Sequence, residues 1–468
     1  MSVFNTKVTL PSRIVLCAQA SDGMTDAVFQ EHLEKVYLQV TKDKNPILCN
    51  CNVTPRLKLT IRQRNRSDGT TRYYLARYPK TSDKHVKCWF YALPNEASGR
   101  AGYTDSVIEE TEDGFSIRLA HPLVSRLAKG TQKAPASTPA THTGPGTPRK
   151  NKMTTLGFLN FLWEQANLHD SGDLLAKERK EASVIWRLQN ATQHISAGDE
   201  SVSDHFLALP TAPTKEHRDR LEKLVERQTA LKTDKDRTLC IIVGHLSDLY
   251  ATQITCTGAK QLELQLVMTS ALSKALKVAG GISAQALTAL ATRKAARADV
   301  VRLNKQKYDE NRPAFTPSEQ LALDAAHARS AKAPHAIFCC LAYLEKTASG
   351  VVANVVDAAI MPVSAHWIPY ASSFELQVSD ELVQQKRHFI KPLRYDAATD
   401  LIFPDFILSD TQTPTPMEVF GRTDETYQQR KAEKTAYYQQ HFSTCQWWHW
   451  IAQGVGSTPI IPVFPPKV

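Results

Sequence analysis

The chain has 468 residues, 42% of them hydrophobic, and a formal net charge of +10 from 57 Lys and Arg against 47 Asp and Glu. That length suggests about three domains, and that apolar share supplies a real core, which excludes a disordered chain. The basic balance favours an anionic partner such as nucleic acid. No apolar run reaches the roughly 18–20 residues of a membrane span, so no membrane partner is expected.

The opening MSVFNTKVTLPSRIVLCAQA does not read as a signal peptide, because Lys7, Pro11 and Arg13 break its apolar stretch. To about residue 128 the chain reads mainly as short strands and turns: RLKLTIRQ (56–63), TRYYLARY (71–78), KCWFYAL (87–93) and FSIRLAHPL (115–123). A Pro/Thr/Ala/Gly-rich stretch, 129–152, predicts a disordered linker and a domain boundary. From Thr154 the period becomes helical. TLGFLNFLWEQANL, a second segment over 177–195 and KEHRDRLEKLVERQTALK (215–232) predict a helical region over 153–235. A mixed α/β region follows over 236–370, with strands at 237–246 and 261–268, a long helix over 284–313 and strand-like runs from about 336 to 369.

The last stretch, 371–468, has the clearest order. SDELVQQKRHF (379–389) predicts a helix. IKPLRY (390–395), LIFPDFIL (401–408) and PMEVFGR (416–422) predict three strands, DETYQQRKAEKTAYYQQHF (424–442) a helix and TCQWWHWIA (444–452) a final strand. The fold class expected is multidomain α+β. It has an N-terminal β-rich, zinc ribbon-like domain (1–128), a helical middle region and a C-terminal α/β domain.

Two constellations carry chemistry. Cys49 and Cys51 form a C-x-C pair, and His85-Val-Lys-Cys88 follows an expected hairpin. Two close pairs of soft ligands close a tetrahedral shell, so structural zinc is expected, with no position left open for water. The strands between them carry Arg56, Lys58, Arg62, Arg64, Arg66, Arg72, Arg77 and Lys80 beside Tyr73, Tyr74 and Tyr78. That is either a phosphate-contacting face or a solvated hairpin. The second constellation is Asp405 after Pro404 on one strand and Glu418 on the next. As a hairpin the strands bring both carboxylates to one end of the sheet, where their repulsion raises their pKa values unless a cation holds them. Mg²⁺ or Mn²⁺ suits such oxygen ligands. Odd and mostly apolar in context, the nine cysteines suggest reduced thiols and a cytoplasmic home. With no Gly-Lys-Ser/Thr phosphate loop and no dinucleotide-binding glycine triplet, nucleotide hydrolysis is not expected.

The order of elements over about 375–455, with Pro-Asp on the second strand and Glu on the third, resembles the PD-(D/E)xK nuclease superfamily. The resemblance implies a restriction-endonuclease-like fold in which Asp405 and Glu418 bind the metal. It also implies a lysine two residues beyond the Glu, but that position is Phe420. The basic role would then fall to Lys434 or Arg430 on the following helix, with Lys431 and Lys391 as alternatives. The helical acid would be Glu381, or less readily Glu375. DNA contacts are expected from Lys391, Arg394 and Tyr427, and from Arg293 and Arg297 on the long helix, whose basic stripe otherwise reads as a solvated face. The whole chain, through CNC…HVKC, FLNFLWEQANL and FIKPLRY…FPDFILSDT…PMEVFG, resembles an uncharacterised family of bacterial proteins associated with integrating conjugative elements. That implies a mobile-element setting with other element proteins as partners. The expectation is a DNA nuclease, with a non-catalytic DNA-binding or assembly factor as the alternative.

Overall fold

The structure, a computed structural model, describes residues 7–10, 15–17, 26–40, 47–51, 54–65, 71–79, 81, 84–85, 88, 90, 98–111, 114–125, 151–229, 237–250, 252–310, 312, 314–395, 404–421, 428, 431–432, 434–436, 438–439, 447–452 and 460–468. Apart from residues 151 and 152, the expected linker lies outside them.

The first unit contains β1 (Lys7–Thr9), β2 (Val15–Cys17), α1 (Asp26–Val40), β3 (Ile47–Cys49), β4 (Lys58–Asn65) and β5 (Thr71–Arg77). Its strands form an antiparallel sheet in the order β2-β1-β3-β4-β5. Phe29, Leu33 and Val36, at helical spacing, put one stripe of α1 onto Val8, Ile47, Leu59 and Ile61. This helix was not anticipated, and the unit is a helix-backed sheet rather than a bare zinc ribbon.

β6 (Ile108–Glu110) and β7 (Phe115–Ile117) belong elsewhere. Together with β8 (Val124–Ser125), α2 (Thr155–Gln165), α3 (Glu181–Thr192), β9 (Ile195–Ala197) and β10 (Glu200–Ser201) they make up the second unit. Its sheet has the order β10-β9-β7-β6. Phe115, Ile117 and Leu119 share a core with Phe158, Leu162 and Trp163 of α2. The expected domain 1–128 therefore divides between two cores, because β7 pairs in parallel with β9 across the linker.

Next come β11 (Phe206–Leu209), α4 (Lys215–Thr229), β12 (Arg237–Thr238), β13 (Cys240–Tyr250), β14 (Gln253–Cys256) and β15 (Leu264–Val267). They are followed by α5 (Ser270–Val278), α6 (Ala284–Asp309), α7 (Pro317–Lys332), β16 (His335–Thr347) and β17 (Gly350–Val363). The strand pairings close on themselves: β13 with β14, β14 with β15, β15 with β17, β17 with β16 and β16 with β13. The residue range expected to be wholly helical thus also supplies β9, β10 and β11 to the two sheets.

The C-terminal unit runs α8 (Ser373–Gln384), β18 (Phe389–Ile390), β19 (Phe406–Leu408), β20 (Thr415–Phe420), helical residues within 428–439 and β21 (Trp448–Ile451). Its sheet order is β18-β19-β20-β21, antiparallel except for the parallel β20–β21 pair. Ser372 caps α8 by accepting the Glu375 N–H at 3.1 Å, so the helix starts well before the expected Ser379. Alternation on β20 sends Met417 and Val419 into the core with Val378 and Leu382 of α8, leaving Glu418 and Phe420 on the opposite face. Gly421 ends the strand against α8, where a Cβ would meet the Phe374 ring at 2.3 Å. The unit is sewn to the middle of the molecule: Ser171 N–H donates to Phe389 C=O at 2.9 Å, Lys391 N–H to His169 C=O at 2.9 Å and Gly99 N–H to Leu393 C=O at 3.0 Å.

Candidate functional site

Phe406 pairs with Met417 and Leu408 with Thr415, so one further step along the hairpin sets Asp405 opposite Glu418. The chain bends at Asp405, whose N–H donates to Met417 C=O at 2.9 Å. One Asp405 carboxylate oxygen accepts the Val419 N–H at 2.8 Å. Glu418 is only 1% exposed, and all of its neighbours in β20 are buried. Lys434 reaches down from the following helix and donates to both Glu418 oxygens, at 3.0 and 2.8 Å. One turn on, the Tyr438 hydroxyl donates to Glu418 Oε1 at 3.0 Å. Sequence reasoning missed Tyr438, although its i, i+4 spacing from Lys434 put both on one helix face.

The electrostatics separate the two acids. Burial first, then the negative charge of Asp405, push Glu418 up to about 8. Burial also acts upward on Asp405, but Lys434, Lys391 and the Val419 N–H outweigh it and hold Asp405 below its usual range. Burial opposes the charge on Lys434, and the two acids overcome it and hold that ammonium above its ordinary value. The two acids are thus driven apart, Glu418 upward and Asp405 downward, with the Lys434 ammonium bonded to Glu418. The Lys434 ammonium offsets part of the repulsion between the two acids.

The remaining expected residues distribute as follows. Lys391 is buried, 2.8 Å from Glu375 Oε2 and 4.8 Å from the centre of the Phe406 ring. Glu381 instead accepts from Gln385 within its own helix at 2.7 Å, on an exposed edge. The acid of α8 that joins the site, through Lys391, is therefore Glu375. Phe420, where the resemblance implies a lysine, is 4% exposed, with Lys431 Nζ lying 5.2 Å from its ring centre. Arg394 is exposed and close enough to Lys434 to act on its charge. Arg430 and Tyr427 lie outside the described residues. Arg293 donates to Ala333 C=O at 3.0 Å, and with Arg297 it faces the buried His245 and His335, so the structure does not bring this pair to the acids.

At the other end of the molecule, Cys49, Cys51, His85 and Cys88 offer ligand atoms all within 4.8 Å of one another. Cys49 Sγ lies 3.4 Å from Cys88 Sγ, and His85 Nδ1 lies 3.5 Å from Cys88 Sγ and 3.6 Å from Cys51 Sγ. These three separations are on the order of the edges of a tetrahedral shell with Zn–S and Zn–N bonds of roughly 2.0–2.3 Å. The hydrogen bond from Cys49, with help from His85 and against burial, brings the Cys88 thiol down to about 4, while the same bond and burial push Cys49 up. One thiolate is thus already favoured in a cluster that could hold a metal such as zinc.

The chain is thus a mixed α+β protein with a thiol–imidazole cluster that could bind a metal such as zinc and, separately, a buried acid pair with its lysine. The chain belongs to the DUF1173 family, described as a protein of unknown function, whose profile matches residues 19–453. No curated protein and no solved structure matches it. No helix among the described residues is long and apolar enough to cross a membrane.

Proposed function

We propose that this chain is a metal-dependent DNA nuclease of a bacterial mobile element, acting in the cytoplasm and hydrolysing phosphodiester bonds. The observation that carries the reading is the convergence of Asp405, Glu418 and Lys434 at one end of a mixed sheet built in the order helix, three strands, helix, strand. Asp405 and Glu418 would hold Mg²⁺ or Mn²⁺, which when bound supplies Lewis-acid polarisation of the phosphate and an acidified water. Glu418 would hold the metal as the carboxylate, its proton lost to solvent, and the Tyr438 hydroxyl keeps that carboxylate aimed. Released from Glu418, Lys434 Nζ donates to a phosphate oxygen as negative charge grows there. Lys391, held by Glu375, keeps Asp405 ionised. Arg394 offers an exposed guanidinium for a neighbouring phosphate. The Cys49, Cys51, His85 and Cys88 cluster would hold a structural Zn²⁺ that closes the N-terminal unit.

Phe420 favours a second reading, a non-catalytic DNA-binding or assembly factor with a degenerate nuclease fold. One experiment divides the two. The protein is incubated with supercoiled, linear and branched DNA in Mg²⁺ or Mn²⁺ beside Asp405→Ala and Glu418→Ala. The nuclease reading expects cleavage by the wild type and a loss of at least about 100-fold in each variant. Intact DNA with equal gel shifts for all three proteins would favour the binding factor.

A further inference from the structure

His245 on β13 pairs with Ile337 of β16, which makes His335, two residues earlier, its diagonal neighbour on the same face. The two imidazole centres lie 4.6 Å apart. Trp367 backs both, 4.8 Å from His245 and 4.7 Å from His335, and its ring is within 18° of parallel to His335. Each imidazole is 7% exposed. Neither nitrogen of His245, nor Nδ1 of His335, makes a hydrogen bond among the described residues. Buried ring nitrogens are ordinarily partnered, and three without partners in one cluster point to a missing ligand.

Arg293 and Arg297, one turn apart on α6, lie close enough to act on both imidazoles. Arg297 is half-buried and has no hydrogen bond or ion pair among the described residues. Arg293 donates from Nη1 to Ala333 C=O at 3.0 Å, while its buried Nε makes no hydrogen bond. No described carboxylate forms an ion pair with either guanidinium. The acids of the neighbourhood are spent elsewhere. Glu181 Oε1, 3.9 Å from His245 Nδ1, accepts the Thr211 N–H at 3.0 Å and the Thr211 hydroxyl at 2.7 Å. Asp248 holds Lys294 at 3.0 Å, and Asp299 holds Arg329 at 3.0 Å.

The charge balance says what kind of ligand fits. Burial, then repulsion from the two arginines, brings His245 down to about 3, so its ring is neutral and offers one N–H. Two guanidinium groups oppose a metal ion and favour an anion. A phosphate spreads its acceptor oxygens in three dimensions, so it can take donors from two arginines and an imidazole together. Arg293 and Arg297 are both half-buried, so the cluster is reached from solvent along α6.

We propose that Arg293, Arg297, His245 and His335 form a phosphate-binding site separate from the acid pair. The phosphate is either the free inorganic ion or one phosphate of a DNA strand laid along α6. The proposal does not depend on cleavage, because its test reads binding in chelator.

The full-length protein is titrated with inorganic phosphate by calorimetry and with a fluorescent oligonucleotide by anisotropy. Arg297→Gln weakens one of these ligands at least about fivefold, and His245→Phe, which keeps a ring and removes both nitrogens, weakens the same one. Lys294→Gln, one residue from Arg293 but ion-paired to Asp248, changes neither by more than about twofold. Loss of phosphate binding with DNA affinity unchanged assigns the site to the free ion. Loss of DNA affinity, with phosphate competing against the oligonucleotide on the wild type, assigns it to a strand. Arg297 has no partner to lose, so its variant keeps the fold even where His245→Phe does not, and thermal unfolding checks both. Failure of both ligands to bind, undiminished binding by Arg297→Gln or by folded His245→Phe, or an equal loss in Lys294→Gln overturns the proposal.

Discussion

Glu418 carries the account at the scale of a single residue. It is 1% exposed, lies beside a second acid, and is stabilised by one ammonium and one hydroxyl. A carboxyl raised to about 8 from 4.5 binds a proton in the folded protein that the unfolded chain has already released. The sign follows directly: without metal, this group's contribution to stability falls as pH rises through that window, by up to about 1.4 kcal/mol per pH unit. Glu418→Gln keeps the neutral form. Urea unfolding in chelator should therefore show a flatter pH dependence between about 5 and 8 for Glu418→Gln than for the wild type. An identical slope for the two proteins would mean that Glu418 is not protonated in the fold.

At the scale of elements, α8 makes the sharpest prediction. Glu375 and Glu381 are six residues apart, which rotates them onto different faces of a helix. Glu375 is buried against Lys391 at 2.8 Å, whereas Glu381 accepts from Gln385 on an exposed edge. Glu375→Ala strands a buried ammonium and should cost about 3–5 kcal/mol in urea unfolding. Glu381→Ala should stay within about 0.5 kcal/mol of wild type. The choice between these acids is not legible in the sequence because the helix expected to start at Ser379 or Asp380 begins instead at Ser373, capped by Ser372. What could be read was periodic or local. The apolar run of α2 and the alternation of β19 and β20 survive in the fold, and so does the meeting of Asp405 with Glu418. What could not be read depends on distant partners. Arg62 and Arg77 looked like surface cations, and only the packing of β4 and β5 against α2 and residues 191–194 turns them inward. Helix α1 is not legible in the sequence because its apolar stripe is short and takes its meaning from the sheet it covers.

Across the whole molecule, the formal charge of +10 is not gathered into one open stripe among the described residues: Lys391, Arg100 and Arg387 are buried, while Arg394 stands exposed beside the acid site. The N-terminal unit has a small core of its own, closed on one side by Cys49 and Cys88. Metal analysis of protein purified without chelator should find one zinc per chain, and Cys88→Ser should lose it. Full zinc retention by Cys88→Ser would remove the cluster from the account.

The most direct measurement is plasmid nicking by wild type and Glu418→Gln in Mg²⁺, with folding and DNA binding matched beforehand. The account predicts nicked and linear product from the wild type and at least about 100-fold less from the variant. Equal cleavage by the two proteins, or none by the wild type, would contradict it.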